Sequence, residues 1–126
     1  MKTNYKVAIA IVVGAAIGGA AAIQGLYAQA KPKAYLVTES EVLDAANLAS
    51  YTAAISAVQK AAGGRSFGTR GKIVANVGDP PKRVGISEWD SLEQAQAYLK
   101  SAARKDLVEG KKVVKINRQY VVEASK

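Results

Sequence analysis

Tyr35, Glu39, Arg65, Glu88 and Trp89 are the side chains of this sequence best suited to chemistry. A carboxylate in a half-buried pocket has its pKa raised by desolvation and can then give or take a proton. Glu39 and Glu88 are the candidates for that role. Arg65 could hold a substrate carboxylate through a forked pair of hydrogen bonds. Tyr35 and Trp89 offer rings and a polar tip to an organic ligand. Tyr35 and Glu39 share one face of a single strand, with about 13 Å between their backbones at about 3.3 Å per residue. They cannot touch, but they can line one pocket. Each residue also has a plainer reading. Glu39 and Glu88 can pair with Arg65 or Arg83 as structural ions, Trp89 can pack in the core, and Tyr35 can pack at a dimer seam with its hydroxyl wetted.

Composition narrows the chemistry further. The 126 residues contain no cysteine and no histidine. That removes a disulfide framework, a thiolate nucleophile, a histidine-dependent triad and the usual zinc sites, so no metal is expected. No GxGxxG or Walker pattern follows a strand, and Gly63-Gly64 reads as a helix stop, so no cofactor is expected. The formal charge is +8, but the basic residues are scattered in runs of two at most, with little aromatic interleaving. This pattern describes a solvated surface better than a nucleic-acid interface.

The first thirty residues read as a leader. Lys2 and Lys6 precede an apolar run from Val7 to Ile23, and Tyr27-Ala28-Gln29-Ala30 ends in a small-x-small site. Cleavage after Ala30 is expected. An uncleaved anchor is the rival, because the run reaches about the 17-residue lower limit for a spanning helix. Either way, residues 31–126 form the working domain and sit outside the cytoplasm, periplasmic or secreted. Membrane contact is expected only if the leader is kept.

The elements that must position the candidates follow from one stretch, Gly78 to Ala95. Gly78-Asp79-Pro80-Pro81 closes a turn and excludes helix. Arg83 to Trp89 reads as a strand. Asp90-Ser91 starts a helix, with Gln94 placed to return a bond to the Ser91 amide. Before it, Ala34 to Val42 is a strand with Tyr35, Val37, Glu39 and Glu41 on one face and Leu36, Thr38, Ser40 and Val42 on the other. Asp44 caps a helix from Ala45 to Ala62 with a stripe at Leu48, Tyr51, Ile55, Val58 and Ala62. Ser66 to Val77 reads as a bent strand interrupted by Gly68 and Gly71. Ser91 to Arg104 is a second helix, with Leu92, Ala95, Leu99 and Ala102 on one face. Lys105 to Lys111 is a polar connection, and Val113 to Glu123 the last strand. In that strand Val114, Ile116, Tyr120 and Val122 are expected on one face and Lys115, Asn117 and Gln119 on the other. The order strand, helix, strand, strand, helix, strand is the ferredoxin-like βαββαβ unit, an α+β fold with two helices on one face of an antiparallel sheet. The opposite face is left open, and a twofold homodimer would bury it.

The same residues carry a resemblance. The ordered set Ala34-Tyr35-Leu36-Val37-Thr38-Glu39, Asp44, Tyr51, Ala62-Gly63-Gly64-Arg65, Pro80-Pro81-Lys82-Arg83, Glu88-Trp89-Asp90-Ser91, Ala95, Tyr98 and Ser101 resembles the domain of unknown function family thirteen-thirty, from about Lys33 to Ala124. The resemblance implies a ferredoxin-like subunit of a dimeric α/β barrel, beside small oxygenases, isomerases and decarboxylases of that superfamily. It implies no particular reaction. Val77-Gly78 stands where members usually carry Glu-Gly, and Ser101-Ala102-Ala103-Arg104 where they often carry Ser-Pro-Glu-Tyr. The functional expectation is an exported protein that binds a small organic ligand in a polar pocket walled by Glu39 or Glu88, with cofactor-free catalysis left open. Glu88→Gln is then expected to abolish binding and leave the dimer intact. The alternative is a non-catalytic structural or interaction protein of the cell envelope, with both glutamates neutralised by arginine.

Overall fold

Ala34–Val42 (β1) forms because its alternating residues suit two environments. Ala34, Leu36 and Ser40 are buried on one side, while Tyr35, Val37 and Glu39 are half-buried on the other. The computed structural model describes residues 31–125. The leader and its expected cleavage after Ala30 lie outside them. No helix among the described residues is long and apolar enough to cross a membrane.

β1 is the inner strand that meets both partners of the longer pairings. Arg83–Trp89 (β3) runs antiparallel to it, with Ala34 opposite Trp89 and Thr38 opposite Gly85. Val114–Glu123 (β4) runs antiparallel on its other side. Arg65–Ser66 (β2) pairs with the far edge of β3, which gives the order β2-β3-β1-β4. With Leu48–Ala61 (α1) and Leu92–Lys100 (α2) between the strands, this is the ferredoxin-like α+β fold expected from the sequence.

Both helices pack on the face that carries Ala34, Leu36 and Trp89. Ala95 and Tyr98 of α2, with Val58 and Ala62, close one apolar cluster around Trp89. Tyr51, Val113 and Val114, with Leu48 and Ile55, form a second. The predicted α1 stripe thus serves both clusters. A single 3-10 turn, Ala45–Asn47, precedes α1, and Asp44 caps it by accepting from the Asn47 amide at 3.3 Å. α1 ends where Gly63 turns to φ +99°. At Gly64 a Cβ would lie 2.5 Å from the Trp89 ring, so only glycine allows this approach.

The structure corrects four local expectations. The bent strand Ser66 to Val77 is absent beyond the two residues of β2. The Phe67 amide still donates to the Ile86 carbonyl at 2.9 Å, and Thr69 Oγ1 to the Val84 carbonyl at 2.7 Å. After that the chain leaves the sheet, and Val74 and Val77 are 79% and 89% exposed. Alternation without a partner strand stabilises nothing. In β4 the register shifts between Glu39 and Ser40: Glu39 faces Arg118 but Ser40 faces Ile116, leaving Asn117 as a bulge. The bulge inverts the alternation. Gln119 and Val121 turn to the helix side, and Tyr120 and Val122 to the open face. The second helix breaks at Ser101, whose backbone is extended. Ser101 Oγ donates to the Tyr98 carbonyl and accepts from the Arg104 amide, restarting a short helix, Ala102–Lys105 (α3), and a wider turn, Asp106–Gly110. Finally, Gln94 Oε1 accepts from the Asp90 amide at 2.9 Å instead of the Ser91 amide, while its Nε2 donates to the Ala62 carbonyl at 3.2 Å. One side chain thereby ties the start of α2 to the end of α1.

Candidate functional site

The five residues singled out from sequence fall on two sides of the sheet. Register places Tyr35 and Arg65 opposite Glu88, all on the open face. Tyr35 Oη donates to Glu88 Oε2 at 3.2 Å, and Arg65 Nε donates to Glu88 Oε1 at 3.0 Å. Arg65 Nη2 reaches Asp90 Oδ1 at 3.0 Å, and Lys33 reaches the same oxygen at 3.4 Å. Phe67 stacks on Tyr35 with ring centroids 6.3 Å apart. Glu39 is on this face too, but it pairs with Arg118 at 2.7 Å, not with Arg65 or Arg83. Trp89 points the other way. It is fully buried, its ring lies 4.8 Å from that of Tyr98, and Nε1 donates to Ser87 Oγ at 2.9 Å. Trp89 is a core residue here.

The electrostatics of the open-face group run opposite to a raised carboxylate. The Arg65 guanidinium holds Glu88 below the usual carboxylate range, against the upward pull of desolvation, and the Tyr35 hydroxyl adds to the lowering. Arg65 and Lys33 hold Asp90 down as well. These carboxylates are committed to arginine and stay ionised, so they are poor proton donors.

A cavity lies elsewhere, between the sheet and the helices, with a volume of about 810 Å³. Its origin is in the small and polar residues of the inward faces. Thr38 and Ser40 of β1 meet Gly85 and Arg83 of β3, and none of these fills the space between the two apolar clusters. Gln119 Nε2 donates to Thr38 Oγ1 at 2.8 Å, and Arg104 Nη2 donates to Gln119 Oε1 at 2.9 Å. Tyr51 and Ile55 of α1, Tyr98 of α2, and the 66–71 segment complete the wall. Neither Glu39 nor Glu88 borders it.

Burial pushes the Tyr98 phenol up to about 12, against the pull of Arg104. Burial likewise raises Tyr51, against the fields of Arg104 and Arg83. Both phenols therefore stay protonated at neutral pH, and the Tyr98 side chain is hydrogen-bonded to Arg104. The wall is built of donors, cations and apolar surface. It suits binding and orienting an organic molecule better than taking a proton from one.

Sequence reasoning placed Thr38 and Ser40 together on one strand face but did not see that this face was inward. Two hydroxyls in the middle of a helix-covered face were the available signal. Arg104 and Gln119 gave none, because the helix break at Ser101 and the bulge at Asn117 decide where they point.

A family model described as Domain of unknown function (DUF1330) matches residues 33–125. No curated protein matches. Among solved structures, the chain is similar to a protein of unknown function from Rhodopseudomonas palustris, with a TM-score of 0.55 and 13% identity, over 84% of this chain and 93% of that one. It is also similar to SnoaB, a cofactor-independent oxygenase from Streptomyces nogalater, with a TM-score of 0.54 and 14% identity, over 75% of this chain and 95% of that one. At these identities the likeness shows the fold.

Proposed function

We propose that this chain, which belongs to the DUF1330 family, binds a small organic ligand in the cavity between its sheet and helices. The observation that carries this reading is the cavity itself. Its volume of about 810 Å³ is in the range of small-molecule sites, and a few convergent polar groups stand among apolar walls, as such sites require. The leader supports export, with cleavage after Ala30 and residues 31–126 as the working domain. The open face supports self-association. It carries Val37, Ile86, Tyr120 and Val122, and Tyr120 and Val122 are 41% and 49% exposed. A second copy would cover it. The open-face group Tyr35, Arg65 and Glu88, with Glu39, then faces the partner instead of the ligand, and Glu88→Gln disturbs the dimer more than binding.

The alternative of a non-catalytic interaction protein has one observation in its favour. Both glutamates are neutralised by arginine, Glu88 by Arg65 and Glu39 by Arg118. This is compatible with ligand binding, since neither glutamate borders the cavity.

Gly85 gives the test. A Cβ at this position meets nothing within 4 Å, and it would point into the cavity. Gly85→Leu should fold normally and fill the space. The neutral fluorescent probe N-phenyl-1-naphthylamine should brighten with the wild-type protein and not with Gly85→Leu, at matched thermal stability. Equal brightening of both proteins would place the ligand elsewhere.

A further inference from the structure

The charge lining the cavity is one-sided. Arg70, Lys82, Arg83 and Arg104 border it, and no aspartate or glutamate does. Elsewhere the arginines find carboxylates, as Arg65 and Arg118 show. Among the described residues, Arg83 and Arg104 pair with none. Arg104 is only 8% exposed. Its guanidinium donates to the Leu99 carbonyl at 3.3 Å and to Gln119 Oε1 at 2.9 Å, both neutral acceptors, and sits 6.0 Å over the Tyr98 ring. Arg83 reaches only the hydroxyls of Ser40 and Thr52, each at 3.4 Å. A buried cation with neutral partners alone keeps part of its desolvation cost, which an opposite charge would offset.

A second observation points to the same place. Tyr51 is 7% exposed and borders the cavity, and among the described residues its hydroxyl makes no hydrogen bond. Arg104 and Arg83 are both near enough for their fields to act on that hydroxyl. Two uncompensated guanidiniums and one unused donor thus border the same cavity. Around it, Leu36, Ile55 and Ile116 supply apolar wall.

Resting on the reading of the cavity as the binding site, we infer that its ligand is an organic carboxylate. The carboxylate docks between Arg104 and Arg83 and accepts from the Tyr51 hydroxyl. Its carbon body lies against Leu36, Ile55 and Ile116. A guanidinium offers parallel donors in the spacing of a carboxylate's two oxygens. The cavity is far larger than an inorganic oxyanion, and its apolar wall has a use only if the anion carries a carbon skeleton.

The test displaces bound N-phenyl-1-naphthylamine from the full-length protein with matched pairs: 1-naphthoate against 1-naphthamide, and indole-3-acetate against indole-3-acetamide. Each carboxylate should displace the probe at a concentration about tenfold or more below its neutral amide, as expected for charge-assisted bonds. In Arg104→Met the two members should become nearly equal, with thermal stability kept. Arg83→Gln, nearer the strand end, should narrow the ratio and serves if Arg104→Met does not fold. Equal displacement by acid and amide in wild type would overturn the anion assignment and leave the cavity as the site. A preference that survives both substitutions would overturn the role of these arginines. Failure of the probe to bind at all would overturn this inference and the reading beneath it.

Discussion

At the scale of single residues, the chain separates two kinds of arginine. Arg65 and Arg118 are partly exposed and hold carboxylates on the open face, where such pairs stabilise little. Among the described residues, Arg83 and Arg104 hold none. The first kind predicts a titration result. Glu88 and Asp90 both have lowered pKa values in the folded protein, chiefly because of Arg65. A depressed carboxyl contributes stability above its unfolded pKa and loses it as pH falls through the folded value. Arg65→Gln should therefore move the Glu88 and Asp90 midpoints up toward the ordinary carboxylate range in a carboxyl-carbon NMR titration. The variant should also be less stable than wild type at neutral pH, with a shallower loss of stability on acidification, so that the two converge at low pH. Midpoints that stay in place would show that the ion pairs do not form in solution. Glu88 illustrates what sequence reasoning could and could not see here. The sequence offers Arg65 as a structural partner for it, but its register opposite Tyr35 is set by the strand pairing itself, and Arg65 acts on its charge with a sign opposite to desolvation.

At the scale of elements, glycine and serine positions set the geometry. Gly64 lets the end of α1 approach Trp89 so closely that a Cβ would lie 2.5 and 2.7 Å from ring carbons. Gly64→Ala should destabilise the protein by about 1–3 kcal/mol, read as a lower denaturation midpoint with unchanged slope. A neutral result would mean that α1 shifts freely on the sheet. Ser101 works in a similar local way. By capping both α2 and α3 it bends the helical path and sends Arg104 back over Tyr98. Periodicity alone continues the helix through Ser101 and leaves Arg104 unplaced. The same limit applied to the sheet. β1 and β3 were legible to the residue, because each has apolar alternation between clear turns. The run Ile73 to Val77 alternates equally well and forms no strand, because pairing is a property of two segments. β4 was legible in extent but not in face. The bulge at Asn117 is a register event, and a one-residue shift exchanges the faces of everything after it.

At the scale of the whole molecule, the two faces of the sheet differ in what they present. The helix side leaves a cavity open because Thr38, Ser40, Gly85 and Arg83 stand where a plain two-layer core would carry large apolar residues. The open side carries apolar residues framed by ion pairs, which suits a second copy. Tyr120→Asp should convert a dimer to a monomer in sedimentation without unfolding it, since Tyr120 is 41% exposed and packs only against Arg118 among the described aromatic contacts. An unchanged dimer would place the interface elsewhere. The central claim, that the cavity holds an organic acid, is tested most directly by native mass spectrometry of the protein expressed with its leader and recovered from the periplasm. The account predicts a chain beginning at Lys31, assembled as a dimer, carrying a small acidic adduct that is lost on denaturation and missing from Arg104→Met. An empty wild-type dimer, or an adduct kept by Arg104→Met, would contradict it.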